Sequence, residues 1–340
     1  ALSEAGIDRV EVSTDGGNSW HVASGTASWN YGWQAPGDGT YVIQSRVISN
    51  DSGIETPGAG NTVIVDSTIP TTTGVLAADE TWSGEVVVSG DVTVPAGVTL
   101  TVSPGTTVRF QALSDDTAGG AETSRTELIV NGSLIADGTA EAPIMFTSSA
   151  SVLVKGDWGG IRMTSDAALT LNYFSMEYGK LGIEYVSSAG NAPVSITNSI
   201  FHYANGNAVN ISLSSGTARS VSISDNQIYN HDGMGISVFS TGAGTLLTAD
   251  VSRNEIHDIG GRGIYLHAAG SSQSELTVDS NILYSTVSQG IYVHSESSTV
   301  TGQFTSNDIS STGNGLYMLN YFTSSPSLVV EGNIIHNNSN

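Results

Sequence analysis

Asn254-Glu255-Ile256-His257 opens a stretch that runs on to Gly263-Ile264-Tyr265-Leu266-His267. The same pattern then returns as Asn281-Ile282-Leu283-Tyr284 and Gly290-Ile291-Tyr292-Val293-His294, 27 residues later for both the Asn and the Gly. Working outward, an Asn recurs at Asn172, Asn198, Asn226, Asn254, Asn281, Asn307 and Asn333, with gaps of 26, 28, 28, 27, 26 and 26. From Asn198 onward an Ile or Leu follows two residues later, from Ile200 to Ile335. A Gly with an apolar neighbour completes most units, as Gly182-Ile183, Gly235-Ile236, Gly263-Ile264, Gly290-Ile291 and Gly315-Leu316; the unit after Asn198 has Asn207-Ala208 instead. A fixed period of this length means stacked supersecondary units. Alternation of apolar and polar residues inside each unit makes them strands, and no 3.6-residue pattern competes.

The expected architecture is all-β, with coils of about 26–28 residues that each carry three short strands. Successive coils pair in parallel at a rise of roughly 4.8 Å, so like residues stack on like. The seven Asn then form an internal ladder whose amides bond to those above and below. They read as structure rather than as ligands.

Upstream, Val92-Thr93-Val94-Pro95-Ala96-Gly97, Pro104-Gly105-Thr106-Thr107-Val108-Arg109-Phe110 and Leu128-Ile129-Val130-Asn131-Gly132 are short strands broken every few residues by Gly or Pro. They fit narrow coils over 80–150 that lead into the regular Asn-ladder coils of 165–340. Residues 111–126, with Asp115, Asp116, Gly119 and Gly120, read as a loop ejected from a coil. Over residues 80–340 the repeat resembles the pectate-lyase-like superfamily of right-handed parallel β-helices. That resemblance implies the fold and leaves the activity open, since the fold hosts lyases, hydrolases, epimerases, adhesins and tailspikes.

Residues 1–70 differ. Val10-Glu11-Val12-Ser13, Tyr41-Val42-Ile43-Gln44-Ser45-Arg46-Val47 and Thr62-Val63-Ile64-Val65 alternate between Gly- and Asp-rich turns, as in an antiparallel sandwich. Asp15-Gly16-Gly17-Asn18-Ser19-Trp20, Asp38-Gly39-Thr40-Tyr41 and the run from Asn61 through Val65-Asp66 to Pro70 resemble the immunoglobulin-like repeats of bacterial adhesins. The implied domain is a partial immunoglobulin-like β-sandwich, truncated at its first strand. Ser13 to Trp20 also fits the Asp-box of sialidase-like propellers, but a propeller needs regular copies and this is a single one, so a hairpin is expected.

Charge and composition exclude several partners. Ten Lys and Arg stand against 32 Asp and Glu, a net charge of −22, which disfavours nucleic acid and anionic membrane surfaces. No Cys is present, so disulfides and thiolate sites are ruled out. No apolar run approaches the roughly 20 residues of a membrane span, so membrane insertion is not expected. The composition fits an extracellular or cell-surface protein of bacterial type, expected to be a monomer.

Candidate site residues follow from the alternation. Positions expected to point outward after each Gly-apolar pair are Glu184/Val186, Val209/Ile211, Ser237/Phe239, Tyr265/His267, Tyr292/His294 and Tyr317/Leu319. Phe239, Tyr265, His267, Tyr292, His294 and Tyr317 thus form an aromatic face, with Tyr321 and Phe322 nearby. Stacked exposed aromatics mark a contact surface and suit glycan, through ring faces and polar edges; cross-strand packing is one alternative and cover by an overhanging loop another. A second outward column, Phe201, Tyr229, His257, Tyr284, Ser310 and His336, reads as stacking.

The same strand also bears on catalysis. Alginate epimerases and related lyases of the superfamily carry a "G-F-D-P-H-E" type motif, to which Gly263 to His267 and Gly290 to His294 are similar in their Gly and His. The motif's Asp is Tyr265 or Tyr292 here and its Glu is Ala268 or Ser295, so a Tyr/His pair would have to act as base and acid. Arg262 and Arg253 are the cations expected near enough to meet a substrate carboxylate. No hydrolase-like cluster of carboxylates appears; metal ligation by His267 and His294 is geometrically possible, but two His without a carboxylate third make a weak site, and no metal is expected. No cofactor is expected beyond a structural Ca²⁺ in loops such as Asp115-Asp116. The leading expectation is a surface module of adhesin type that binds polysaccharide or cell-surface glycan. A polysaccharide lyase or epimerase is the first alternative, and a structural stalk the second.

Overall fold

The computed structural model describes residues 6–339 except 38, 66–69, 71, 115–119, 165, 188–189, 215 and 322–324. Every regular element among the described residues is a strand. The chain divides into two compact units, Ala1–Pro70 and Thr71–Asn340.

The first unit holds a four-stranded antiparallel sheet in the order His21–Val22, Ile7–Ser13, Gly39–Ser49, Asn61–Val65, and a small pair, Ser24–Gly25 with Trp29–Asn30. These small antiparallel sheets are consistent with part of a β-sandwich. Val10, Val12 and Ala23 form the core, with Ile7, Tyr31, Ile43 and Val47 packed on it. The Ser13-to-Trp20 segment is the hairpin between the first two strands. Asp15 organises it by accepting from the Ser19 amide at 2.9 Å and hydroxyl at 2.6 Å and from the Ser13 hydroxyl at 2.8 Å. Those donors, Ser19 first, pull the Asp15 carboxyl down to about 2. Arg46 lies 4.1 Å over the Trp20 ring and ion-pairs with buried Glu11. Asp38 and Asp66 of the adhesin-like motif lie outside the described residues.

Among the described residues the second unit forms three parallel sheets of ten strands each, which wind as one solenoid. The first sheet runs from Gly74–Val75 to Leu316–Tyr321, the second from Glu80–Trp82 to Ser325–Glu331, the third from Glu85–Val88 to Ile334–His336. Each rung places one strand in each sheet, so inward residues stack in columns along the axis. One such column, Leu128, Ile161, Ile183, Val209, Ile236, Ile264 and Ile291, is buried throughout. Each such side chain contributes roughly 1.5–3 kcal/mol over its exposed state. Toward the early rungs the interior turns aromatic: Phe110 stacks on Trp158 at 3.9 Å, and Phe146, Phe174 and Phe201 continue the pile.

Two-residue corners join the second and third sheets. The first corner residue takes a left-handed conformation, at Asp225 (φ 60°), Arg253 (56°), Ser280 (56°) and Ser306 (56°). The second is the ladder Asn. Asn226, Asn254, Asn281 and Asn307 each donate a side-chain N–H to the Oδ1 of the next, at 2.8–3.0 Å, ending at Asn333. The same Oδ1 also accepts the backbone N–H of the preceding rung's Asn, and the second side-chain N–H reaches a backbone carbonyl. A corner that buries backbone polar groups is thereby satisfied without water.

Two members counted from the sequence lie off this ladder. At the rung of Asn198 the ladder position is Ser199, whose amide donates to Asn226 Oδ1 at 2.9 Å. Asn198 itself is the left-handed corner residue (φ 48°), and its amide bonds outside to Asn172 Oδ1 at 2.9 Å. Asn172 ends a second-sheet strand in register with Thr197 and bonds to Asp137. The Asn spacing of 26 and 28 at this point conceals a one-residue offset, which Ser199 absorbs.

Candidate functional site

Register along the first sheet sets the outward columns. One reads Arg162, Glu184, Asn210, Ser237, Tyr265, Tyr292, Tyr317; its neighbour reads Thr164, Val186, Ser212, Phe239, His267, His294, Leu319. Val209 and Ile211, expected to point out, are buried in the core, and Asn210 and Ser212 take their places. The reason is local: Ala208 fills the slot that Gly182 and Gly235 fill in adjacent rungs, so the pair beginning there is Ala208-Val209. Phe201 of the second expected column is likewise buried, and His202 is the outward residue in register with Tyr229, His257, Tyr284, Ser310 and His336.

The first sheet changes character along its length. At its early end Arg162 bridges Glu127 and Glu184. Next, the Ser237 hydroxyl donates to Asn210 Oδ1 at 2.7 Å. Beyond that lie the aromatics. Phe239 meets Tyr265 edge-on at 5.0 Å; Tyr265 and Tyr292 lie 5.0 Å apart with planes tilted by 38°; Tyr292 and Tyr317 stack at 5.5 Å. His267 and His294 stack at 4.6 Å with planes 11° apart, and Tyr321 closes edge-on against His294 at 5.6 Å. All six residues expected on this face therefore share adjoining columns over four rungs. Phe322 lies outside the described residues, as do Asp115 and Asp116.

The rings pack on one another along the axis, His267 on His294 and Tyr292 on Tyr317 face to face, Tyr265 tilted against Tyr292, and Phe239 and Tyr321 edge-on. Tyr292 is only 8% exposed, whereas Tyr317 is 41% and Tyr321 49% exposed. What the column offers outward over most of its length is ring edge. Arg262 caps it, with its guanidinium 4.7 Å from the Tyr265 ring and 4.5 Å from the Tyr292 ring, while its Nε donates to Gln289. Desolvation raises the Tyr265 and Tyr292 hydroxyls above their ordinary value, with Arg262 pulling the other way. Burial, then the neighbouring His294, lowers His267 below the usual imidazole value, so it is neutral at pH 7. The Nε2 atoms of His267 and His294 are both buried without a hydrogen-bond partner. Arg253, expected as a second cation here, is instead held at a corner between the other sheets by both oxygens of Asp225, at 2.8 Å each.

The third sheet carries a second aromatic column that the sequence pattern only half revealed. Tyr229, His257 and Tyr284 stack at 5.1 and 4.6 Å with planes within 3°. Next to them Tyr178 and Tyr203 stack at 5.5 Å, both in left-handed conformations (φ 59° and 56°) where later rungs have Asn230, Asp258 and Ser285. Bulky residues seldom adopt that conformation. His202 contacts this group and pairs with Glu177 at 3.2 Å, and Glu177 also accepts from the Thr147 hydroxyl. Burial lowers the His202 imidazole below its ordinary pKa, with Glu177 opposing.

The chain matches two family models: "Pectate-lyase like beta helix domain" over residues 71–178 and "Right handed beta helix region" over residues 159–324. No curated protein matches it. Two solved structures of mutants of the periplasmic alginate epimerase AlgG are similar. One is 10% identical with a TM-score of 0.30, covering 73% of this chain and 78% of that one. The other is 9% identical with a TM-score of 0.28, covering 74% and 78%. With ten parallel strands in each of three sheets among the described residues and an internal Asn ladder, the body of the chain is a right-handed parallel β-helix that opens with a pectate-lyase-like β-helix domain.

Proposed function

We propose that the chain is a polysaccharide-binding module of an extracellular or cell-surface protein, and that the outward columns of the first sheet hold an extended glycan along the solenoid axis. The observation that carries this reading is the in-register run Tyr265, Tyr292 and Tyr317, flanked in the neighbouring column by Phe239, His267 and His294. A parallel rung repeats at about 4.8 Å, which is comparable with the length of one sugar unit in an extended chain. Hydroxyl and ring N–H groups at such intervals match a polymer that repeats its own hydroxyls, and the more open Tyr317 and Tyr321 add apolar ring surface. The net charge of −22 favours a neutral glycan, since a polyuronate would be repelled without a bridging cation. The first unit, as a partial immunoglobulin-like domain, would serve as a spacer.

A glycan array with the purified chain tests this. Binding that falls at least tenfold in Tyr317→Ala, with folding intact, supports the reading; binding that is absent or indifferent to the column overturns it and leaves a stalk. The lyase or epimerase alternative has one observation in its favour. His267, neutral at pH 7, lies beside Tyr265 with ring centroids 6.0 Å apart, and the pair repeats as Tyr292 and His294 at 6.1 Å. Incubation with polyuronates, followed for new reducing ends, unsaturated products and epimer content, separates the two: turnover abolished in His294→Ala would replace binding by catalysis.

A further inference from the structure

His267 and His294 lack a third ligand in the sequence pattern, but the fold supplies one. Glu296 lies two residues beyond His294 on the strand Ile291–Glu296, so the alternation that turns His294 outward turns Glu296 outward too. In the adjacent rung its register partner is Ala269, two residues beyond His267. A small residue there leaves the carboxylate free to lean toward the imidazoles. Donor atoms of His267, His294 and Glu296 all lie within 4.8 Å of one another, and this is the only such group of three among the described residues.

From this geometry we propose that His267, His294 and Glu296 form a binding site for a transition-metal dication of the Zn²⁺ type. Two imidazoles and a carboxylate are the nitrogen and oxygen donors that such ions prefer, and a three-ligand set leaves a fourth position for water or another ligand. Each ring has a buried Nε2 with no hydrogen-bond partner, an arrangement that neither the stack nor the neighbouring side chains satisfy. Glu296 takes part in no salt bridge among the described residues, so no Lys or Arg competes for it. The long-range field of an acidic chain draws dications toward it. Bonds of about 2.0–2.2 Å bring tetrahedral donors to about 3.4 Å of one another, so loading requires the three side chains to close in and the parallel rings to turn out of their stack.

This inference stands apart from the glycan reading, because its test contains no saccharide. Chelator-treated protein is titrated with ZnCl₂ by calorimetry, and with Co²⁺ while its visible spectrum is recorded. The expected result is one equivalent bound, with Co²⁺ bands of a low-coordinate nitrogen and oxygen site. His294→Ala and Glu296→Gln should each weaken Zn²⁺ binding at least tenfold, and His257→Ala on the third sheet should leave it unchanged. Circular dichroism and melting of each variant confirm the fold. Absence of stoichiometric binding, or binding that survives both substitutions in folded protein, overturns the site. A glycan array run in chelator keeps the two readings separate: it can fail while Zn²⁺ still binds, and the reverse.

Discussion

Asn281 makes four hydrogen bonds through one buried side chain. Its Oδ1 accepts from the amide and side chain of Asn254, and its Nδ2 reaches Asn307 Oδ1 and the Val251 carbonyl. Replacing it by Ala strands a backbone N–H, a carbonyl and two amide groups in a dry corner. Since each stranded group costs roughly 1–3 kcal/mol, Asn281→Ala should destabilise the β-helix by about 2–4 kcal/mol in urea unfolding, allowing for partial relaxation. Asn198→Gly should cost less than about 1 kcal/mol, because Asn198 is a left-handed corner residue whose side chain bonds on the outside. Equal losses in the two variants would refute the offset at Ser199. His231 offers a second residue-scale test. Burial drives its pKa down to about 4; nearby Lys155 and His202 add to this, and hydrogen bonds to the Gly206 and Phe201 backbone oppose it. The unfolded chain takes up this proton near pH 6.5 and the folded chain only near 4. Stability from this residue is therefore complete above 6.5 and lost as pH falls toward 4, by about 3 kcal/mol in all. Melting curves of wild type and His231→Gln between pH 7 and 4 should converge as the pH falls, and parallel curves would sink the assignment.

On the scale of the strand, the stacking geometry decides which part of an aromatic side chain can act. Tyr292 stacks on Tyr317 and packs against the tilted Tyr265, and Arg262 lies over Tyr265 and Tyr292, so in the proposed glycan site the hydroxyl edges of Tyr265 and Tyr292 would carry the polar recognition. Tyr292→Phe should keep the stack, leave stability within about 0.5 kcal/mol, and reduce glycan affinity three- to tenfold in affinity electrophoresis. If Tyr292→Phe binds as the wild type does while Tyr317→Ala does not, the exposed end alone makes the contact. The columns themselves were readable from alternation wherever a Gly marked the strand start, at Gly235, Gly263 and Gly290. They failed at Ala208, where a small residue other than Gly occupies the slot, and a slip of one residue exchanges the two faces of a strand. Glu296 was overlooked although its place two residues past His294 follows from the same alternation. Arg253 was misplaced because a corner, unlike a strand, has no period to read.

For the molecule as a whole, the repeat made the fold legible because a rung must return every inward side chain to nearly the same place. Length can vary only at corners and ejected loops, so the period survives substitutions that blur any single rung. The 70 residues before it carry no such redundancy, and short strands between turns specify only an antiparallel arrangement. The two units also differ in what holds them. The β-helix has one continuous core from Leu76 to Ile309, whereas the core of the first unit comprises Val10, Val12 and Ala23 with four partly buried neighbours. These are separate clusters, and in a solenoid each rung draws its stability from the rungs it touches. Removing residues 1–71 should therefore leave the main cooperative melting transition within about 4 °C of its original position, as followed by circular dichroism at the β minimum. Residues 1–70 alone bury too little apolar surface for more than marginal stability, and should give a broad transition or none. Collapse of the β-helix transition on this deletion would show that its first rungs depend on the preceding sheet, and the nearest-neighbour account of the solenoid would then have to extend across residue 71.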